Sequence, residues 1–520
     1  MRTSRYVGPR CGAVTVVVAT LMMTVLGTGV ASASPQNSGS WPYPNGNLSN
    51  TRNAVGSTIS LANVSTLKKA WSFRLSGKAT KSVGGYGTLA ANPIVANGVV
   101  YMQDLHSNVY ALSVATGKLL WSYKVDKDEL SGPGPNGVAV VNGKVYGATP
   151  KAVFALNAST GKKVWSNDDL LKPGQGTFGI QPEVAGGRVY LASQYGRVPG
   201  GGLLLALNAA TGHLIWTFKT EPKDDAGPAA LPLGGGGAWQ TPLVSPDGSV
   251  SFGIGNPYQT EEAAMSTPSQ ALYTDSVVNL NAATGKLNWY YQGISNDFMD
   301  HDMQTSPIAA SVKGVPVVLG SGKLGIVYEM NATTGKLLWK TPVGVHNGTD
   351  YVGLHALEGK GAAKLPLTYE PGAYGGVLTN MALSGNTVYA ATINLPFTIT
   401  TGVSVNGLPA GAKNKKVKLR GEVEALNVTT GKVEWATNVN GMPDGATTVS
   451  NNLVFTTLFQ GEMVALNGST GAIVYTAQLP RPTNAPLAIA GNTIIVATGG
   501  PKYGSNNGPS QIVAYKVSPN

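Results

Sequence analysis

Apolar and polar positions alternate along most of this chain, in short runs broken by turn residues and without the longer helical period. One arrangement recurs: an alternating run ending in Ala-Leu-Asn or a close variant, two variable residues, Thr-Gly-Lys, then a second run ending on Trp. The copies are Tyr110–Trp121, Phe154–Trp165, Leu205–Trp216, Val278–Trp289, Tyr328–Trp339 and Glu424–Trp435; a seventh, Val464–Tyr475, ends in Tyr. Residues two apart on a strand share a face, so each run predicts a strand with one buried side. Asn-x-x-Thr-Gly predicts a tight turn, because glycine accepts a positive φ and the Asn or Thr side chain bonds nearby backbone. Each copy is therefore expected to be a β-hairpin.

Upstream of most copies lies a second pair of short runs, as in 93–101 and 138–146, with Asn-Gly between them. Asn-Gly between apolar runs is a strong hairpin signal. Two hairpins make a four-stranded unit, and a chain of such units predicts a β-propeller. An eighth unit is assembled from both ends: 511–515 supplies a strand without its Thr-Gly hairpin, and 67–71 supplies a Trp strand without a partner. Pairing them closes the ring and removes exposed sheet edges. The expectation is an all-β, eight-bladed propeller over residues 34–520, as a single domain. The intervals from Trp216 to Trp289 and from Trp339 to Trp435 are longer than the rest. Their extra residues are expected to form functional or capping loops on the propeller faces.

Residues 1–33 read differently. Arg2, Arg5 and Arg10 precede an apolar run from Ala13 to Val30, and Ala31-Ser32-Ala33 follows. That is the pattern of a secretory leader cleaved after Ala33, which predicts a secreted or otherwise extracytoplasmic protein. The one cysteine, Cys11, lies in the leader. The mature chain then has no disulfide, no thiolate metal site and no Cys-x-x-Cys-His haem attachment. No later run is long and apolar enough for a membrane-spanning helix.

The formal net charge is +11, but the basic residues are dispersed, the nearest to a run being Lys413–Arg420. A nucleic-acid surface needs a concentrated basic stripe, so that class is set aside. Charged residues make up only 12% of the chain, against roughly 25% in an average protein. The five histidines show no zinc-binding spacing. No Gly-x-Ser-x-Gly nucleophile elbow appears.

Four stretches carry candidate chemistry. Gly234-Gly-Gly-Gly-Ala-Trp239 is a glycine run that would let backbone approach a planar ligand closely. Gly253-Ile-Gly-Asn-Pro257 offers an amide oxygen at Asn256. Asn296-Asp-Phe-Met-Asp-His-Asp302 concentrates three acids in a chain poor in acid. Asp300 and Asp302 would point the same way on an extended chain. Gly320-Ser-Gly-Lys-Leu-Gly325 presents Lys323 just before a clear strand.

Together with the Thr-Gly-Lys-x-x-Trp repeat, these stretches resemble the pyrroloquinoline quinone (PQQ) dehydrogenases, with their tryptophan-docking repeats. The resemblance covers nearly the whole mature chain and includes an entry segment, Asn50 to Trp71. It implies a PQQ-dependent alcohol dehydrogenase using Ca2+ or a lanthanide. In such an enzyme Trp239 would be the stacking floor under the quinone, and Lys323 and Thr149 further cofactor contacts. Asn256, Asp300 and Asp302 would be metal ligands, Asp302 matching the extra acid of the lanthanide-using branch. Asp300 would also be the catalytic base. The substrate would be a small or polymeric alcohol, and a separate acceptor such as a cytochrome would take the electrons.

Three departures stand against that pattern. The family's adjacent cysteine pair is replaced by Gly132-Pro-Gly-Pro-Asn-Gly137. Its quinone-binding arginine aligns with Asn108, and its metal-binding glutamate falls near Gln194 or Arg197. They favour the alternative, a non-catalytic propeller of the same repeats that serves as an envelope binding or assembly scaffold.

Overall fold

The structure is a computed structural model. It describes residues 39–75, 88–125, 136–194, 201–221, 234–258, 261–266, 269–360, 364, 366–399, 420–499 and 509–518. The expected leader, Arg197, residues 132–135 and most of the 413–420 basic run lie outside these.

The strands assemble into eight blades. Blade one comprises Ile94–Ala96, Val99–Gln103, Val109–Ser113 and Leu119–Tyr123; blade two comprises Ala139–Val141, Lys144–Ala148, Val153–Asn157 and Lys163–Asn167. Blade three is built on Glu183–Ala185, Arg188–Gln194, Leu203–Asn208 and Leu214–Lys219. Blade four is Leu243–Val244, Ser249–Gly253, Ser276–Asn281 and Leu287–Gln292. Blade five is Ile308–Val312, Val315–Gly320, Ile326–Asn331 and Leu337–Pro342. Blade six is Ala382–Ser384, Thr387–Ile393, Gly421–Asn427 and Val433–Val439; blade seven is Thr448–Ser450, Leu453–Leu458, Glu462–Asn467 and Ile473–Gln478. Blade eight joins Ala488–Ala490, Thr493–Thr498 and Gln511–Lys516 to Lys68–Arg74 from the other end of the chain. The all-β, eight-bladed propeller read from the repeat is the fold observed.

First strands of neighbouring blades touch one another, so they line the axis. Fourth strands are largely exposed, as in Leu119–Tyr123 and Ile473–Gln478. Between blades the cores are apolar; Tyr146, Val189, Leu205, Phe252 and Val278 pack in one of them.

The repeat's tryptophan is what binds blade to blade. Trp121 Nε1 donates to Ala158 O of blade two at 2.9 Å, and Trp165 Nε1 to Ala209 O of blade three at 3.1 Å. The same bond runs from Trp71, Trp216, Trp289, Trp339 and Trp435 to their next blades. The Thr-Gly glycine is the other half of the joint. Gly161 has φ +70°, and a Cβ there would lie 2.5 Å from the Trp121 ring. Glycine is thus required twice, for the turn and for the neighbour's indole. The turn itself is held by its asparagine: Asn157 Oδ1 accepts from the amides of Ser159 and Thr160, both at 3.0 Å. Tyr475, standing where blade seven lacks the Trp, donates to Leu67 O at 3.2 Å.

Strand order puts all the long connections on one face. The first-to-second and third-to-fourth turns are short and share the opposite face. Second-to-third and blade-to-blade connections share the other. The longest of them, 343–381 and 394–420, contribute a short helix, Val352–Leu357, and strands Leu367–Tyr369 and Phe397–Ile399, which pair with each other. These pack with a second short helix, Glu261–Ser266, in an apolar cluster of Ala264, Phe298, Met299, Tyr369 and Ile399.

The segment before the first strand threads the axis. Trp41 bridges to Val95, Ala309 N donates to Ser49 O, Leu383 N to Thr51 O, and Ala54 N to Val449 O. At its centre Arg52 is wholly buried. Its guanidinium donates to Thr447 O, Asn45 Oδ1, Asn92 Oδ1, Thr448 Oγ1 and Leu487 O, with no carboxylate among these partners. Burial lowers its pKa to about 9.

Candidate active site

Trp239, Asn256, Asp300, Asp302, Lys323, Gln194 and Thr149 all lie on connections, or strand ends, at the long-loop face. Asp302 and Lys323 are the hub. Lys323 Nζ is 2.8 Å from Asp300 Oδ2 and 2.5 Å from Asp302 Oδ2. Backbone holds both residues: Lys323 N donates to Asp302 O at 2.9 Å. Asp302 Oδ1 accepts from Asn256 N at 2.7 Å, which ties the Asn256 loop to the same pair. Asn256 spends its Nδ2 on Pro257 O at 3.1 Å, which leaves Oδ1 as its acceptor.

Trp239 joins through Gly255. A Cβ on Gly255 would lie 2.9 Å from the Trp239 ring and 2.6 Å from Asp302 Oδ1. The Gly-x-Gly of that loop is therefore a close-approach requirement. Trp239 also differs from the chain's other tryptophans. Seven dock on a neighbouring blade, and Trp41 lies under Arg52. Trp239 is half-buried and makes no such hydrogen bond.

The electrostatics follow from burial. Asp302 is 2% exposed at its side chain, Lys323 10% and Asp300 20%. Burial pushes the Asp300 carboxyl well up, Lys323 opposes the shift and Asp302 adds to it. Burial alone would lower Lys323, but the two aspartates outweigh it and hold its charge. Asp300 has φ +63°, a left-handed conformation rare for a non-glycine residue. The extended chain expected for Asp300 to Asp302 is therefore not what aligns them; Lys323 is. Such strain is a known mark of functional sites.

Asp297 behaves differently from its neighbours. Its carboxylate accepts from His301 N at 2.9 Å and from Met299 N at 2.9 Å, and His301 Nδ1 is 3.2 Å away. Burial would raise it, but His301 and these bonds outweigh burial and lower it.

Asp275 was not visible as a site residue in the sequence. It is 1% exposed, and neither carboxylate oxygen has a hydrogen-bond partner. Burial, then Asp297, Asp302 and Asp300, drive its pKa well up. It lines a cavity of about 10 Å³ with His301, Gly322, Met303 and Tyr328 among others, room for about one water. Tyr374, from the 343–381 insertion, also senses the pair: burial and Asp300 raise its hydroxyl, against Lys323. Nothing in the repeat pattern marks either residue, because both reach the site through non-repeating connections.

The departures have local explanations. Asn108 Nδ2 donates to Asp104 Oδ2 at 3.1 Å, while its Oδ1 accepts from Val125 N at 3.1 Å. Its side chain is thus committed to its own turn and to the chain just past the fourth strand of blade one. Thr149 Oγ1 accepts from Ala152 N at 3.0 Å, capping another turn, and shares no described bond with the Lys323 cluster. Gln194 is 1% exposed, and both of its side-chain polar atoms lack partners. It abuts Gly237, whose carbonyl accepts from Gly255 N at 2.8 Å. Its backbone therefore lies one step from the Asn256 loop, while its side-chain amide packs against Gly179.

A bound quinone and cation can be tested against these residues. The half-buried face of Trp239 suits a planar ring. Among the described residues no three acidic, imidazole or thiol side chains converge as a metal site. A cation here would draw on amides as well: Asn256, whose backbone N bonds Asp302, and the unpartnered amide of Gln194. An all-oxygen set of that kind suits a hard cation. The residues present fit both groups.

Comparison with known proteins bears on the fold and the family. The family model described as glucose/ethanol/alcohol dehydrogenase, beta-propeller domain, matches residues 41–139 and 181–344. A second, described as outer membrane protein assembly factor BamB, matches only residues 419–516. The quinohemoprotein alcohol dehydrogenase of Comamonas testosteroni is 27% identical over 515 residues, 88% of this chain and 71% of that protein. Its crystal structure superposes with a TM-score of 0.77 at 24% identity, covering 92% of this chain and 80% of that one. A europium-containing methanol dehydrogenase gives a TM-score of 0.76 at 20% identity, covering 92% and 98%. The alternative of a cofactor-free scaffold is not favoured by these matches. With the first model spanning just over half of its residues, the chain belongs to the PQQ-dependent alcohol dehydrogenase β-propeller family.

Proposed function

We propose that the protein is an exported dehydrogenase that oxidises an alcohol with PQQ as hydride acceptor and a hard cation, Ca2+ or a lanthanide, beside it. The observation that carries this reading is the Lys323 ammonium held between Asp300 and Asp302, next to the half-buried Trp239.

Trp239 would carry the quinone ring, and Asn256, Asp300, Asp302 and Gln194 would hold the cation. When bound, these groups supply a two-electron acceptor and a Lewis acid. The protein's own part is proton transfer and charge placement. Asp300 accepts the hydroxyl proton of the alcohol at its carboxylate. Its raised affinity for protons, caused by burial, suits a general base better than an ordinary exposed aspartate would. Lys323 opposes the rise in the proton affinity of Asp300, and supplies a fixed positive charge where negative charge develops. The apolar cluster of Phe298, Met299 and Tyr369 excludes water behind the base. Residues 1–33 would direct export, and a separate protein such as a cytochrome would accept the electrons.

The test is reconstitution of the purified protein with PQQ and either calcium or a lanthanide. The expected result is quinone absorbance that stays with the protein through gel filtration, and alcohol-dependent reduction of a dye. Absence of quinone binding with either cation would overturn the reading.

A further inference from the structure

Behind Lys323 lies a charge arrangement that the proposed chemistry does not use. Gly322 to Gly325 form a tight turn, closed by Gly325 N donating to Gly322 O at 2.9 Å, and Lys323 is its second residue. The far end of the turn is the Gly325 carbonyl. It accepts from Val343 N at 2.8 Å and lies 3.1 Å from His346 Nε2. The same Nε2 is 3.1 Å from Val343 O, while Nδ1 is 2.9 Å from Asp350 Oδ2. Every oxygen facing the ring is an acceptor, so satisfying both nitrogens requires a proton on each.

The turn has little freedom to adjust. Gly325 has φ +66°, and a Cβ there would lie 2.9 Å from Pro371 and 3.2 Å from His346 Nε2. Its other anchors are backbone bonds, Lys323 N to Asp302 O at 2.9 Å and Val377 N to Gly322 O at 3.0 Å. His346 and Asp350 are 15% and 14% exposed at their side chains. Burial opposes the imidazolium, but Asp350 outweighs it, and His346 is raised above its ordinary value.

Charged groups also face this segment from blade six. Glu424 Oε1 accepts from Gly344 N at 2.8 Å, and burial pushes its carboxyl up to about 7, with the Gly344 bond and His346 opposing. Glu422 holds Asn394 Nδ2 at 2.8 Å, and Asn394 Oδ1 accepts from Val345 N at 3.0 Å.

We propose that His346, clamped by Asp350, is a positioning residue for Lys323: its imidazolium grips the Gly325 carbonyl and so fixes the turn that aims the ammonium at Asp300 and Asp302. A neutral ring keeps one proton. It can serve Asp350 or the Gly325 and Val343 carbonyls, and the bare nitrogen then faces oxygen. Raising the pH through the titration of His346 therefore loosens the Lys323 turn. Ionised Glu424 favours the imidazolium and so moves the loosening to higher pH. The consequence for turnover rests on Lys323 and Asp300 acting as proposed above; the consequence for the turn does not.

The experiment is amide hydrogen exchange by mass spectrometry on the purified chain, corrected for intrinsic rates, from about pH 5.5 to about pH 9. Wild type is compared with His346→Gln and Asp350→Asn. In wild type, protection of peptides containing Gly325 and Val343 is expected to fall roughly tenfold across the titration, the worth of about one charge-assisted hydrogen bond. His346→Gln is expected to show the high-pH level throughout. Asp350→Asn is expected to lose the transition and stay protected at high pH, because an amide can donate to Nδ1 and leave the single ring proton for the carbonyls. Blade-two peptides should not change in either. On protein loaded with PQQ and calcium, kcat should lose its alkaline limb in both variants while KM holds. A wild type without the transition, a His346→Gln that keeps wild-type protection at low pH, or an Asp350→Asn that keeps the wild-type transition overturns the proposal. If His346→Gln fails to fold, Asp350→Asn, which keeps the ring, decides by its own criterion. Exchange that responds as stated in a protein without turnover would uphold the positioning and sink the dehydrogenase reading instead.

Discussion

Lys323 Nζ lies 2.8 Å from Oδ2 of Asp300, so the base of the proposed reaction is also one end of a salt bridge. Its availability depends on that lysine. Asp300→Asn should lower kcat by roughly two to four orders of magnitude, the usual worth of a general base, and leave the melting temperature nearly unchanged. Lys323→Met should act differently. It removes the ammonium between Asp300 and Asp302, which raises the proton affinity of Asp300 and moves the rising limb of kcat/KM to higher pH. A pH–rate profile of the two variants separates these effects; full turnover in Asp300→Asn would mean that another group is the base.

Two tryptophans of this chain should respond in opposite ways to the same substitution. Trp289 is 6% exposed, donates to Ala332 O at 2.8 Å and stacks on Gly335. Trp289→Ala should cost about 3–5 kcal/mol, read as a lower midpoint in guanidinium unfolding. Trp239 docks on no blade. Trp239→Ala should leave the midpoint within about 1 kcal/mol of wild type and weaken quinone retention at least about tenfold. Loss of stability without loss of quinone would reassign Trp239 to the core.

Gln194 offers a measurement of the cation site that does not depend on turnover. Its side chain is buried, with neither polar atom partnered. Gln194→Glu places a carboxylate there. In the absence of a cation the variant should melt lower than wild type, because a buried unpaired charge is costly. With calcium the order should reverse, and calorimetry should show an affinity at least about tenfold higher. A variant indifferent to calcium would show that Gln194 faces no cation.

Glu183, on the first strand of blade three, should give the protein a negative pH slope of stability. It is fully buried; Oε1 accepts from Val184 N at 2.9 Å and Oε2 has no partner. Burial raises its pKa to about 8, against the lowering effect of that bond. Between the unfolded value near 4.5 and about 8, the unfolded chain has released this proton and the folded chain has not. Stability therefore falls as pH rises through that window, by about 3 kcal/mol at pH 7. Glu183→Gln removes the term, so its advantage over wild type should grow from pH 5 to pH 7.5 in thermal melts. Equal slopes would contradict it.

The fold was legible because its joints are written locally. Thr160-Gly161 makes a turn within one hairpin, and the same glycine seats Trp121 of the preceding blade. A short motif thus specifies both a hairpin and an interface, and repetition makes it visible. The site was legible only where residues lie near one another in sequence or match a family pattern, as Asp300 and Asp302 do. Asp275 was missed because its isolation arises from packing against distant elements. The expected roles of Thr149 and the departure at Asn108 depended on local turns, in which Thr149 Oγ1 and the Asn108 side chain are already engaged. Arg52 looked like one more dispersed charge; only the closed ring brings Thr447, Thr448 and Leu487 around it.

Lys68–Arg74 pairs with Gln511–Lys516, which makes the final seal of the ring a matter of timing as well as geometry. Blades one to seven can stack in order as they leave the ribosome or a translocation pore, each indole meeting the next glycine. The opening strand has no partner until the last strand arrives, and the Arg52 guanidinium stays hydrated until the seventh and eighth blades supply its acceptors. Closure is then a late, long-range step, of the kind that folds slowly. A chain cut short before residue 511 should keep its first strand as a bare edge, the surface on which neighbouring chains add and aggregate.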